Sequence, residues 1–218
     1  VIVDWVANHT GWDNWLIEKH PDWYTHDNSG QILAPVADWT DVADLNYDNA
    51  DLRKYMIESL EYWIKEADID GYRCDVAGMV PLDFWVEARQ KLDAIKPVFM
   101  LAEWEAPEAH LAFDMTYGWE FHHIMNEIAQ KKQPLSAIDT YFTKVDTTYK
   151  MDDFAMMFTS NHDENSWNGT EFERMGDAAL NMAVLSATVP GMPLIYTGQE
   201  DKLNKRLKFF EKDAITWG

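Results

Sequence analysis

Positive charge is scarce in this chain. It carries 18 Lys and Arg against 38 Asp and Glu, a formal net charge of −20. A surface that acidic repels phosphate backbones and anionic headgroups over a Debye length, so nucleic acid is not an expected partner. One cysteine, Cys74, excludes an intrachain disulfide and a multi-cysteine zinc site. Apolar runs of about twenty residues are also missing, and membrane insertion is not expected. There is no glycine-rich phosphate loop and no cysteine nucleophile in a recognisable setting, which removes nucleotide and thiol chemistry from the leading readings. Disorder is excluded by what is present: 47% of the 218 residues are apolar and 14% aromatic, with 11 tryptophans, enough for a substantial core.

Short apolar runs without polar alternation read as strands buried on both faces, the pattern of a parallel sheet. They lie at Val1 to Val6, Ile69 to Cys74, Val98 to Ala102, Phe154 to Ser160 and Pro193 to Tyr196, with a weaker one at Ala112 to Met115. Helical periodicity occupies Asp51 to Ala67, Leu82 to Ile95 and Gly176 to Thr188, and Trp119 to Tyr149 reads as helix broken near Pro134. Strand and helix alternate, as in a right-handed α/β array. Between Asn8 and Asn49 there is only turn chemistry and a cluster of Trp12, Trp15, Trp23 and Trp39, a connection long enough to be functional.

Polar residues close four of the strands: Asp4, Asn8 and His9 after the first, Arg73 and Asp75 in the second, Glu103 after the third, and Asn161-His162-Asp163 after the fourth. In a parallel α/β array all carboxyl ends share one face, so these groups converge. Taken singly each is explained by helix capping; together they supply carboxylates, two histidines and an arginine to one place. Arg73 inside an apolar run needs a carboxylate, and Asp75 two residues on points the same way. Paired carboxylates with aromatic side chains suit glycoside hydrolysis, which needs an acid, a nucleophile or stabiliser, and flat walls for sugar rings. Trp12, Trp39, Trp104 and Trp167 are stacking candidates, while Trp63 and Trp85 at helical spacing read as core.

The segments Asp4-Trp5-Val6-Ala7-Asn8-His9, Gly71-Tyr72-Arg73-Cys74-Asp75, Glu103 and Asn161-His162-Asp163 resemble, in order, the four signature regions of the α-amylase family of glycoside hydrolases. Asp44-Leu45-Asn46 resembles an auxiliary motif, and Gly191 to Glu200 the segment around the last barrel strand. The resemblance implies a (β/α)8 TIM barrel, incomplete in this chain, which would run from the third strand to the eighth. Residues 1–9 and 44–218 would be barrel, and 10–43 a short inserted region. It further implies Asp75 as nucleophile, Glu103 as general acid/base beginning protonated in a less polar setting, and Asp163 as transition-state stabiliser. Arg73, His9, His162 and Asp4 would bind substrate or orient these groups. No cofactor is required for the chemistry; Asn8 and Asp44 are the residues that would hold a structural calcium ion. Where many members carry a Lys-His pair beyond the nucleophile, this chain has Gly78 and Met79.

The activity implied is retaining cleavage of α-1,4-glucosidic bonds in starch-like α-glucans or maltooligosaccharides. Transglycosylation shares its intermediate and stays open; a non-catalytic sugar-binding relative would be expected to have lost one of the three acids. A barrel metallohydrolase using His9 and His162 is the other alternative. It is disfavoured because the only close histidine pair, His122-His123, is adjacent and reads as helix surface.

Overall fold

A computed structural model describes residues 1–217 and divides into two units, Val1–Thr116 and Tyr117–Gly218. In the first, β1 (Ile2–Val6), β4 (Gly71–Asp75), β5 (Phe99–Ala102) and β6 (Met115–Tyr117) pair in that order, all parallel. The register sets Asp4 opposite Arg73 and Val6 opposite Asp75. Gly71 opens β4 because a Cβ there would stand 1.8 Å from the Phe99 carbonyl oxygen. β2 (His9–Gly11) and β3 (Val42–Asp44) pair antiparallel, so the inserted segment leaves and returns through one ribbon. That segment holds α1 (Trp15–Lys19), and its Leu16, Trp23 and Tyr24 share a core with Leu52 and Tyr72.

α2 (Ala50–Ala67) starts where Asn49 accepts hydrogen bonds from the amides of Asp51 and Leu52, and it stops at left-handed Asp68. Its stripe of Leu52, Met56, Ile57, Leu60 and Ile64 is buried, as is that of α3 (Leu82–Asp93), with Phe84, Trp85, Ala88 and Leu92. Trp85 is core as its spacing predicts, but Trp63 is 42% exposed and meets Tyr62 edge-on. It falls outside the α2 stripe, so its correct reading is surface.

In the second unit, α4 (Trp119–Ala129) and α5 (Ser136–Thr148) are parted around Pro134. β7 (Phe154–Met157) and β8 (Met192–Pro193) pair in parallel, and both are shorter than their apolar runs. Beyond Met157 the chain turns into side-chain hydrogen bonding, with Thr159 on Glu171. α6 (Glu171–Met175) opens on a capping box of Thr170 and Glu173, and α7 (Ala179–Thr188) follows. Phe121, Met125, Tyr141, Met157, Met175 and Met182 form the core of this unit. The sixth apolar run also shifts, from Ala112–Met115 to β6, because Ala112 and Phe113 close a tight turn on Ala109.

Candidate active site

Arg73 organises the first unit's site. It projects from the middle of β4, its side chain only 9% exposed, so its charge must be matched nearby. Nη1 donates to both Asp4 oxygens at 3.0 and 3.2 Å and to Asp75 Oδ1 at 2.6 Å, while Nη2 lies 2.8 Å from Glu103 Oε1. One guanidinium therefore gathers carboxylates from three neighbouring strands. Exposure grades them: the Asp4 side chain is 56% exposed, Asp75 22% and Glu103 11%. Three carboxyl groups on one cation set Asp4 and Asp75 close to a deeply set Glu103.

The expectation of a less polar setting for Glu103 is corrected here. Besides Arg73, its carboxylate accepts a 2.8 Å hydrogen bond from the backbone amide of Val76. Val76 adopts φ 36° and ψ 47°, a left-handed conformation that is costly for a β-branched residue. The turn after Asp75 is thus bent so that its first amide aims at the acid on the next strand. No sequence pattern marks a left-handed valine, and this contact was not foreseen.

His9 sits at the start of β2, with Trp39 edge-on at 5.6 Å and the Asn8 amide 3.4 Å from Nδ1. Burial lowers its pKa below the ordinary 6.5, against the opposing pull of Asp75, Asp41 and Asp44. Its ring is near enough to the nucleophile candidate to feel its charge and is suited to hydrogen bonding with hydroxyls. Asp44 pairs across the ribbon with His9, and burial raises its carboxyl pKa. Asn8 is buried and its carbonyl accepts from the Leu45 amide. Among the described residues no three His, Cys, Asp or Glu side chains converge as a metal-ion site.

In the second unit His162 Nε2 lies 3.2 Å from Asp163 Oδ2, and the His162 ring stacks on Phe209 at 5.8 Å. Asp163 adds to the burial that raises the Tyr196 pKa. Trp167, a stacking candidate, packs against Phe209 and is 58% exposed. The pair His122-His123 is corrected: His123 is exposed, but His122 is 1% exposed. Its Nδ1 lies 3.1 Å from the Phe158 carbonyl and its Nε2 3.1 Å from Glu164 Oε2. Burial acts to raise the Glu164 pKa, but the His122 and Asn168 hydrogen bonds and the Arg174 charge bring it below 4.5.

The profile of the alpha-amylase catalytic domain matches residues 19–215. A cyclomaltodextrinase of Thermoanaerobacter pseudethanolicus is 28% identical over 92% of this chain and 39% of its own length. A noncanonic maltogenic alpha-amylase from Thermotoga neapolitana superposes with TM-score 0.87 at 36% identity, over 95% of this chain and 49% of that one. An alpha-amylase from Lactobacillus plantarum gives 0.87 at 34%, over 96% and 53%. The chain thus spans about half or less of the length of these relatives. The fold class is α/β, a partial (β/α)8 barrel. Among the described residues no helix is long and apolar enough to cross a membrane.

Proposed function

Since the chain belongs to the family of alpha-amylase catalytic domains, we propose that it carries the catalytic machinery of a retaining glycoside hydrolase acting on α-1,4-linked glucans or maltooligosaccharides. The observation that carries this reading is the single guanidinium of Arg73 bonded to both Asp75 and Glu103. Two carboxylates on adjacent nitrogens of one arginine stand side by side, which favours the short separation of retaining enzymes, about 5–5.5 Å, over the wider gap that admits a water.

Asp75 attacks the anomeric carbon while Glu103 gives its proton to the departing glycosidic oxygen; the carbon–oxygen bond breaks as the ester to Asp75 forms. Water then attacks the ester, Glu103 takes its proton, and Asp75 is released. Glu103 thereby regains the proton that the next cycle needs. Its contacts with Arg73 and the Val76 amide suit the ionised form that acts as base. His9 from the β2 ribbon would hold sugar hydroxyls, and to Asp163 with His162 the family resemblance assigns stabilisation of the oxocarbenium-like transition state. Asp4 shares Arg73 and keeps it aimed. The names of two relatives, a cyclomaltodextrinase and a maltogenic alpha-amylase, support cyclic or maltose-yielding α-glucans as substrates.

A structural calcium ion belongs to this proposal as an accessory. Asn8 and Asp44 would hold it with backbone carbonyls and water, since calcium takes six to eight oxygens, and the β2–β3 pairing sets Asp44 opposite His9, the residue next to Asn8. It would brace the β2–β3 ribbon.

Proton NMR of the first product from maltooligosaccharide cleavage by the full-length protein tests the reading. The α-anomer is expected; initial β-anomer would overturn it.

A further inference from the structure

Beyond β4 the chain makes a tight turn at Ala77–Met79, and the glycine in it has no conformational reason to be there. Gly78 is not among the residues with positive φ. Space is the reason: a Cβ at position 78 would lie 2.0 Å from carbons of the Trp104 indole. Trp104 directly follows Glu103, is 42% exposed, and packs its indole against the backbone at Gly78, which carries no side chain. Together with Met79 it lines a cleft of about 320 Å³ in the first unit, with Glu108 also in the lining. Beneath are Trp85 and Phe113, buried and in edge contact at 5.2 Å. The Trp85 indole nitrogen donates to the Ala77 carbonyl at 2.9 Å, which fixes the turn that carries Gly78.

Resting on the glycosidase reading above, we propose that Gly78 determines specificity on the leaving-group side, by giving Trp104 the space to act as a stacking platform for a pyranose ring. The occupant follows from position and chemistry. The wall begins one residue after the group that protonates the leaving oxygen. A sugar ring presents an apolar C–H face that an indole accepts and hydroxyls that a carboxylate such as Glu108 accepts. A lysine at position 78, which the family resemblance would place there, is incompatible with this seat for Trp104.

The test compares two substrates on the full-length enzyme: maltooligosaccharides, whose leaving group is a sugar, and α-maltosyl fluoride, whose leaving group is too small to stack. Gly78→Ala must displace the whole Trp104 indole, whose ring-fusion carbons a Cβ would meet at 2.0 Å, and it should lower kcat/KM for maltooligosaccharides about tenfold. Trp104→Ala should do the same, the double variant should be no worse than Trp104→Ala alone, and Trp104→Phe should recover part of the loss. For all of them kcat/KM with α-maltosyl fluoride should stay within about twofold of the parent. A parallel fall with both substrates, or no fall with maltooligosaccharides, would overturn the platform. A parent enzyme that cleaves neither substrate would overturn the glycosidase reading, and this inference with it.

Discussion

The two units treat buried charge in opposite ways. In Val1–Thr116 a single cation, Arg73, serves Asp4, Asp75 and Glu103. In Tyr117–Gly218 the buried Glu164 meets two partners, His122 at 3.1 Å and Arg174 at 3.9 Å. Arg174 is itself closed off by hydrogen bonds to Asn126 Oδ1 and to the carbonyls of Thr159 and Gly169. The second arrangement has its charges matched, and it ties α4 to the chain after β7. The first is left over-acidic at the ends of its strands. Matched buried charge is architecture, whereas an arginine shared among three carboxylates leaves reactivity available to a substrate.

The largest effect that sharpens this contrast is on catalysis. Asp75→Asn and Glu103→Gln should each reduce kcat on maltooligosaccharides by roughly a thousandfold or more. Urea unfolding midpoints should stay close to the parent, because each change lowers the acidity around Arg73. Near-normal turnover in either would erase the distinction between the units.

Removing the cations separates them further. Arg73→Met leaves buried Glu103 without its charge partner and should destabilise by about 3 kcal/mol while abolishing turnover of the molecules that remain folded. Arg174→Met should lose a comparable amount of stability, yet the folded fraction should keep its kcat. Chemical denaturation paired with activity per folded molecule checks both.

A smaller effect concerns pH. The Glu164 pKa is lower folded than its ordinary 4.5, so its stabilising contribution is complete above that value and is lost as pH falls through the folded one. Glu164→Gln should therefore flatten the acid limb of the stability curve between the two values. An unchanged limb would show that the second unit's charge matching contributes nothing. Smallest of all, Val76→Gly should change stability by less than about 1 kcal/mol, relief of the left-handed strain being offset by the freedom glycine gains on unfolding. A thermal melt of the variant reads this directly.

Much of this was legible because buried parallel strands leave no structural use for terminal polar groups. Asp75, Glu103 and Arg73 were visible as interruptions of apolar runs, and the shared Arg73–Asp75 contact followed from two-residue spacing. Helix ends were readable where a cap or proline marks them, as at Asn49 and Pro134. Other features depend on what the fold brings from elsewhere. Trp63 keeps helical spacing but lies off the buried stripe. His122 looks like surface until Phe158 and Glu164 close over it. The Glu103 environment was misread because a general acid that begins protonated calls for a less polar setting, whereas the strand register brings it Arg73 and the turn after Asp75 brings it the Val76 amide. Gly78 could be noted as a departure, but only the position of the indole explains it.

The central claim is that Asp75 forms a covalent bond to the sugar while Glu103 manages the protons. Glu103→Gln in the full-length enzyme, exposed to α-maltosyl fluoride, isolates this step, since fluoride departs without an acid but the resulting ester needs a base for hydrolysis. Mass spectrometry of the intact protein and its peptides should find one maltosyl group attached at Asp75. A maltosyl group on Asp4 or another carboxylate, or β-maltose released with no adduct, would contradict the account.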